Sequence, residues 1–528
     1  MKIVTVAEMV AMERATAASG FGYDQMMAAA GGALAAVVAE HAPAGGLILA
    51  LIGPGNNGGD GLVACARLQE AGHRVAAYIW KRKEADDPLV AAVREPLWAE
   101  ADPGHERLQA LTSEAAVIVD ALLGTGNVRP IGGSLATLLE AVHASLKRRR
   151  EQLPLRLDPT RPQPADRPLI VACDCPSGLN CDTGAIDPLA LPADLTVTFA
   201  LPKVGHFLAP GAAFCGRLIV AEIGIDRRLA PDSAPDLLTG AELAGWLPAR
   251  SPLAHKGTFG RALIVAGSGR FPGAAAIACQ AAYAAGAGLV HLAAIPLVGH
   301  TVAARLAEPV HTALPGTPPD AATALAPAAA KVLEDILPGH DALLVGPGLS
   351  TDPETVAFVR AFLTGRTSPL PPLVVDADAL NALAQLGLSP AALPPLSILT
   401  PHPGEMARLT GLSTAAVNAD RWAVARRFAG SWGQIVVLKG AHTVIAHPDG
   451  RLAISPFADA ALATAGSGDV LAGILVALLA QGLEPWAAAQ VGVYLHALAG
   501  RLAAQSQGPT LLAGDIARFV PQALAQWR

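Results

Sequence analysis

The chain has 528 residues, with 38 Lys and Arg against 44 Asp and Glu and a formal net charge of −6. At roughly 100 to 200 residues per domain this length predicts two to four domains. With 52% hydrophobic and 16% charged residues, and a mean hydropathy of +0.40, the composition excludes disorder over most of the chain, collagen and coiled coil, while the mildly acidic balance argues against a nucleic-acid backbone as partner and for small molecules.

The start, MKIVTVAEMVAMERA, carries Glu8 and Glu13 where a signal peptide needs an apolar core, so secretion by that route is not expected. GLILALIG then reads as a buried strand, followed by GPGNNGGDG (residues 53–61) and an Ala-rich helix through LVACARLQEAG. Glycines at a strand-to-helix turn let backbone amides approach a phosphate, and the helix N-terminus adds positive potential. The turn is not the GxGxxG fingerprint. Asn56, Asn57 and Asp60 offer oxygen ligands as well as amides, which suits a hard cation.

HRVAAYIW and EAAVIVDALLG supply the next strands, the second ending on Asp120. The basic, Pro-rich residues 147–167 (KRRREQLPLRLDPTRPQPADR) are read as a solvated surface insertion rather than an anion-binding arm. PLIVACDCPSG follows, placing Asp174 and Ser177 at a strand end, and DLTVTFA and RLIVAEIG close the half. Continuous apolar strands alternating with helices imply a parallel sheet covered on both faces. Side chains at the carboxyl ends of such strands converge on one crevice, so these three polar strand ends describe a site. Six cysteines do not make a disulfide framework in a chain this long and fit a reducing compartment. A metal reading of Cys173, Cys175 and Cys181 lacks a second ligand pair, which leaves ordinary buried thiols.

Between Arg228 and Gly257 the chain turns Pro-rich and loses its long apolar runs, which marks a domain boundary. Beyond it RALIVAGS, GLVHLAAI, DALLVGPG, PPLVVDADAL, LSILTPHPGE and QIVVLKGA read as strands of a second α/β domain, without an internal repeat of the first. The most apolar stretches, residues 273–290 and 470–480, are Gly/Ala-rich or too short for a bilayer span and read as buried helices. TPHPGE (400–405) offers His402 and a Glu405 suited to Mg²⁺ through water. KGAHT (439–443) is a weak nucleotide signal by itself. GSGD (466–469) opens a strongly apolar helix, with glycine amides suited to a transferring phosphoryl group and Asp469 placed to accept a proton from a substrate hydroxyl.

Together GPGNNGGDG, VDALLGTGNVRP, DCPSGLNCDTG and LTVTFALPKVGH resemble the NAD(P)H-hydrate epimerase domain over about residues 1–225. HKGTFGRALIVAGS, GPGLS, VVDADALNAL, TPHPGE, KGAHT, GSGD and YLHALAG resemble the ADP-dependent NAD(P)H-hydrate dehydratase domain over about residues 247–525. The resemblance implies a Rossmann-like three-layer parallel-sheet domain at 1–228 and a ribokinase-like domain at 229–528. It implies potassium held by Asn57, Asp120 and Ser177, and hydrated nicotinamide nucleotide bound by Asn56, Asn57, Gly58, Gly59, Asp60, the loop of Gly124, Thr125, Gly126, Asn127, Val128, Arg129 and Pro130, and Asp174. Asp174 is the implied proton-transfer residue and Lys203 its less certain second, a surface lysine being the plainer alternative. In the second half it implies hydrate binding at Ala274, Gly348, His402 and Asp469, adenine-nucleotide binding at Lys439, Gly440, Ala441, His442, Thr443 and Gly468, and Mg²⁺ at Glu405.

The implied activity is repair of hydrated NADH and NADPH: epimerisation of R and S hydrates, then ADP-dependent dehydration of the S hydrate to give NAD(P)H, AMP and phosphate. The rival reading is a ribokinase-type small-molecule kinase fused to a non-catalytic nucleotide-binding module. A cytoplasmic homo-oligomer with small-molecule substrates, ADP as co-substrate, and neither nucleic acid nor membrane as partner is expected. Cys173 and Cys175 flank Asp174 where bulkier apolar residues are usual in the family.

Overall fold

The computed structural model describes residues 1–82, 87–126, 129–152, 167–317, 323–364 and 369–527. The chain divides into two compact units, Lys2–Ala234 and, together with Met1, Pro235–Arg528. In the first, the apolar runs become β1 (Leu47–Ile52), β2 (Arg74–Ile79), β3 (Leu97–Trp98), β4 (Val117–Ala121), β5 (Leu169–Cys173), β6 (Leu195–Phe199) and β7 (Arg217–Ala221). They form one parallel sheet in the order β3-β2-β1-β4-β5-β6-β7. The chain winds outward from β1 to β3 and then returns to β4 on the other side of β1, so the crevice outside β1 and β4 is a topological switch point.

Side-chain alternation divides this sheet between two helix layers. Leu49, Leu51, Ile118 and Ile170 pack with Leu108 of helix Glu106–Glu114 and with Leu138 and Val142 of helix Ser134–Glu151. Helix Asn56–Glu70, packed on helix Tyr23–His41, lies over Ile52 and Ala121 on the other face, so close that a side chain on Gly61 would start 2.7 Å from Ala121 Cβ. This is the three-layer arrangement expected. Residues 147–151 of the basic stretch continue helix Ser134–Glu151 rather than forming a loop, and residues 153–166 lie outside the described residues.

The second unit contains β8 (Asp236–Leu237), β9 (Arg261–Val265), β10 (Leu289–Ala294), β11 (Val310–Ala313), a small antiparallel pair β12 (Gly316–Thr317) and β13 (Ala324–Leu325), then β14 (Ala342–Val345), β15 (Leu373–Val375), β16 (Ile398–Leu399), β17 (Ile435–Leu438), β18 (Val444–Ala446) and β19 (Leu452–Ile454). Its large sheet runs β11-β10-β9-β14-β15-β16-β17-β18-β19-β8, parallel from β11 to β17 and antiparallel through β18 and β19. Helix Ser467–Ala480 packs against helix Pro272–Ala284 and under β14. Small residues allow that approach: a side chain on Gly473 would begin 2.3 Å from the Ala278 carbonyl oxygen.

Residues 470–480 are a buried helix as expected, whereas 273–290 is helix only to Ala284, its end turning into β10. Among the described residues no helix is long and apolar enough to cross a membrane. The strands without a sequence signal, β3, β8, β11 to β13, β18 and β19, have two to four residues each. Runs that short carry too little alternation to read unless flanking turn and motif residues mark them, as they do at β14 to β17.

Candidate active sites

The turn after β1 is tight. A side chain on Gly53 would begin 1.8 Å from the Leu122 carbonyl oxygen, so only glycine lets the ends of β1 and β4 meet. Beside this junction lies a cavity of about 750 Å³ lined by Glu13, Asn56, Asn57, Asp60, Asp174 and Lys203 among others, with Gly124, Thr125 and Gly126 on its rim. The strand ends that carry Asn56, Asn57, Asp60 and Asp174 therefore meet at this cavity, whereas Asp120 and Ser177 are not in its lining. Gly58 and Gly59 are not part of the lining. They serve packing, since side chains there would meet the Gly53 carbonyl oxygen at 2.0 Å and the Met27 thioether at 2.8 Å. Arg129 and Pro130 are exposed and also absent from the lining, and Asn127 and Val128 lie outside the described residues.

Asp174 follows β5 at φ +61°, a conformation uncommon for a residue with a side chain and typical of functional turns. Its Oδ1 accepts hydrogen bonds from Lys203 Nζ (2.6 Å) and Thr198 Oγ1 (2.8 Å). Lys203 is buried, and Nζ also donates to Thr198 Oγ1 and the Phe199 carbonyl. The surface-lysine alternative is thereby overturned, because β6 and its following turn fold this side chain inward. Burial works to raise the Asp174 carboxyl, and the Lys203 ammonium outweighs it, holding the group below the ordinary carboxylate range. Asp60 is pushed the other way. Burial, reinforced by the charges of Asp174 and Glu13, raises it to about 8. Glu13, on helix Val6–Ala18, is likewise raised by burial.

Asp120 is fully buried at the end of β4, and burial raises its carboxyl against the hydrogen bonds of Ser177. Its Oδ1 accepts from Ser177 Oγ (2.5 Å) and its Oδ2 from the Ser177 amide (2.8 Å). Asn57 Nδ2 donates to the Leu123 carbonyl at 3.0 Å, and the Leu123 amide donates to Ser177 Oγ at 2.9 Å. The three residues predicted as cation ligands thus form one hydrogen-bonded group. All six cysteines are buried free thiols. Among the described residues no group of three or more His, Cys, Asp and Glu is arranged to hold a metal ion.

In the second unit the ends of β15, β16 and β17 meet the start of helix Ser467–Ala480. Asp376 follows β15 and is almost wholly buried; its Oδ1 accepts from Lys439 Nζ (2.8 Å) and Thr400 Oγ1 (2.7 Å). Lys439 follows β17, and its ammonium also lies 3.8 Å from Glu405 Oε2. Burial works to lower Lys439, and Asp376 and Glu405 outweigh it, holding the ammonium above its usual range. Glu405 closes a capping box, its Oε2 accepting from the His402 amide while His402 Nδ1 accepts from the Gly404 and Glu405 amides. Burial raises the Glu405 carboxyl.

Asp469 stands in the first turn of its helix, and burial, aided by the charge of Asp376, pushes its carboxyl up to about 7. Ala274 and Gly348, far apart in sequence, adjoin: a side chain on Gly348 (φ +63°) would begin 2.7 Å from Ala274 Cβ. The loop of residues 439–443 is clamped by Arg421, which donates from Nη1 to the Ala441 carbonyl and from Nη2 to the Leu438 carbonyl. His442 turns away from it to bond the Ser455 carbonyl and is buried, while Thr443 Oγ1 donates to the Gly440 carbonyl. Sequence reasoning missed Asp376, Thr400, Arg421 and Glu13. Asp376 had a signal, a polar strand end of the same kind as Asp120; Arg421 and Glu13 had none.

The NAD(P)H-hydrate dehydratase family matches residues 262–522, and the family described as YjeF-related protein N-terminus matches residues 23–205. The bifunctional NAD(P)H-hydrate repair enzyme of Moorella thermoacetica is 40% identical over 489 residues, covering 90% of this chain and 87% of that one. Its counterpart in Escherichia coli is 34% identical over 475 residues, covering 89% and 83%. Among solved structures, the ADP/ATP-dependent NAD(P)H-hydrate dehydratase of Bacillus subtilis, co-crystallized with ATP/Mg²⁺, is 29% identical, with a TM-score of 0.48, covering 56% of this chain and 99% of that one. Matched along nine-tenths of its length and in both halves, the chain belongs to the bifunctional NAD(P)H-hydrate repair enzymes, which join an epimerase domain to a dehydratase domain.

Proposed function

We propose that residues 1–228 interconvert the R and S hydrates at the Asp174 site and that residues 229–528 dehydrate the S hydrate at the Asp469 site, with ADP as phosphoryl donor. In the first half the two facing carboxyls are pushed apart, Asp174 down and Asp60 up to about 8. Near neutrality Asp174 is then the proton acceptor and Asp60 the donor for the proton traffic that inversion at C6 of the nicotinamide ring requires. Lys203 keeps Asp174 ionised. The buried, undercompensated Asp120 with the oxygens of Ser177 and Asn57 suits a large monovalent cation, and potassium bound there would neutralise Asp120 and fix the β4 and β5 turns.

In the second half, Asp469 takes the proton of the C6 hydroxyl as that oxygen attacks the β-phosphoryl of ADP, and AMP leaves. The amides of residues 466–469 stabilise the transferred charge. The C6–O bond then breaks, phosphate departs with the electron pair, and loss of a proton from C5 restores the dihydronicotinamide. Glu405, with one oxygen committed to its helix cap and its carboxyl raised by burial, would hold Mg²⁺ through water, and the metal would supply charge neutralisation for the phosphates. Ala274, Gly348 and His402 would hold the hydrate, and residues 439–443 with Gly468 the nucleotide.

The observation that carries this reading is Asp469 itself, a carboxyl poised at about 7 in the first turn of a helix opened by two glycines. The experiment is one incubation of purified protein with mixed epimers and ADP, followed at the dihydronicotinamide absorbance. Complete conversion with one phosphate and one AMP per coenzyme is expected. A stable phosphoester would instead identify a kinase, and a stop at the S fraction would leave the first half without its activity.

A further inference from the structure

We propose that Asp376 is a positioning residue for phosphoryl transfer: by holding Lys439 against the first turn of helix Ser467–Ala480, it directs that ammonium to the transferring phosphoryl group rather than to the adenosine end of the nucleotide. The inference rests on the dehydratase reading above and adds a residue to it.

Three observations carry it. First, the ion pair is lopsided. The Asp376 side chain is 1% exposed and that of Lys439 19%, so the carboxylate is the anchor and the ammonium the face turned to the site. Thr400 Oγ1, on the neighbouring strand end, fixes Asp376 Oδ1 from the other side. Second, the ammonium reaches the glycine turn. A side chain on Gly468 would begin 3.3 Å from Lys439 Nζ and 3.9 Å from Asp376 Oδ2. Gly468 therefore leaves open the space in which an anion can meet the helix amides and Lys439 together. Third, both partners retain hydrogen-bonding capacity there. Among the described residues Lys439 Nζ makes a single hydrogen bond, to Asp376, and Asp376 Oδ2 is buried without a partner. An ammonium has three donors, so two remain for phosphoryl oxygens.

The chemistry follows from the position. A point cation beside the helix amides gains strength as negative charge develops on the transferring group, so its loss should appear in kcat more than in the KM for ADP. Asp376 touches neither substrate and acts through Lys439 and through its charge on Asp469. The charges that act on the Asp469 carboxyl are those of Asp376, Lys439 and Asp378. Removing the negative charge of Asp376 should accordingly move the rising limb of the dehydration pH profile to lower pH.

The test is steady-state dehydration of the S hydrate by the full chain, with ADP varied, for Asp376→Asn, Asp376→Glu, Lys439→Met and the Asp376→Asn/Lys439→Met double variant. Asp376→Asn should lower kcat ~10²-fold with the KM for ADP changed less than about threefold. Asp376→Glu should recover part of the loss, and in the Lys439→Met background Asp376→Asn should cost less than about threefold. Independent losses that multiply, or a raised KM with kcat preserved, would overturn the proposal. Should Asp376→Asn lose its cooperative melt, Thr400→Val decides by the same criterion: its kcat loss must vanish when Lys439 is already Met. Inactivity of the unaltered chain with ADP would overturn the dehydratase reading itself, a result distinct from any of these.

Discussion

Each half of the molecule contains the same small device, an aspartate whose Oδ1 accepts from both a lysine ammonium and a threonine hydroxyl. In the first half these are Asp174, Lys203 and Thr198, and in the second Asp376, Lys439 and Thr400. The device is mounted in opposite senses. Lys203 is 1% exposed and Asp174 15%, whereas Asp376 is 1% exposed and Lys439 19%. On the reading proposed above, the member that reaches the site does the chemistry and the sunken member tunes it. The first half therefore presents an ionised carboxylate, and the second an ammonium, which must borrow its base from Asp469. A second carboxyl stands by in both, Asp60 at about 8 and Asp469 at about 7.

The largest expected effect separates the halves outright. Asp469→Asn should cut dehydration ~10² to 10⁴-fold and leave R/S interconversion, followed by chromatography of the epimers, untouched. Near-normal dehydration would reduce Asp469 to a helix cap and break the comparison. Next, Lys203→Met should slow epimerisation ~10²-fold and shift its residual activity to higher pH, because Asp174 loses the charge that keeps it ionised. An Asp174 left buried without its ammonium should also cost about 3–5 kcal/mol in the denaturant unfolding of that unit.

The pH profiles should then diverge in sign. Asp60 donates only while protonated, so epimerisation should fall as pH rises through about 8; Asp469 accepts only when ionised, so dehydration should rise through about 7. Two profiles with the same limb would show that one of the standby carboxyls has been misassigned. The smallest effect is ionic. Exchanging potassium for a bulky organic cation at constant ionic strength should slow epimerisation several-fold and leave dehydration unchanged. Equal loss in both would mean a general effect on stability.

How far the sequence reaches differs between the sites for a physical reason. Asn57, Asp60, Asp120, Asp174 and Ser177 announce themselves because parallel strands deliver their carboxyl ends to one crevice, so a polar residue at each end is enough to place them together. Asp376 ends a strand in the same way, in VVDADAL, yet an aspartate before a helix reads equally well as a cap, and its partner Lys439 lies 63 residues on. Lys203 is a surface residue by composition and a core residue by tertiary folding. Glu13 reaches the cavity from helix Val6–Ala18, whose docking no local pattern encodes. Gly58 and Gly59 are ambiguous in another way, since a glycine that makes room for a ligand and one that makes room for a thioether look alike in a sequence.

Helix Ser467–Ala480 is buried at every residue from Val470 to Ala480, and this fixes what can move during a catalytic cycle. An element enclosed on all sides opens only with the unit around it, so its amides should exchange hydrogen no faster than global unfolding allows. The main chain that carries Asp469 is then held by the helix that follows it. With Asp469 as the base proposed above, the ring and the phosphate would reposition around its main chain between phosphoryl transfer and elimination.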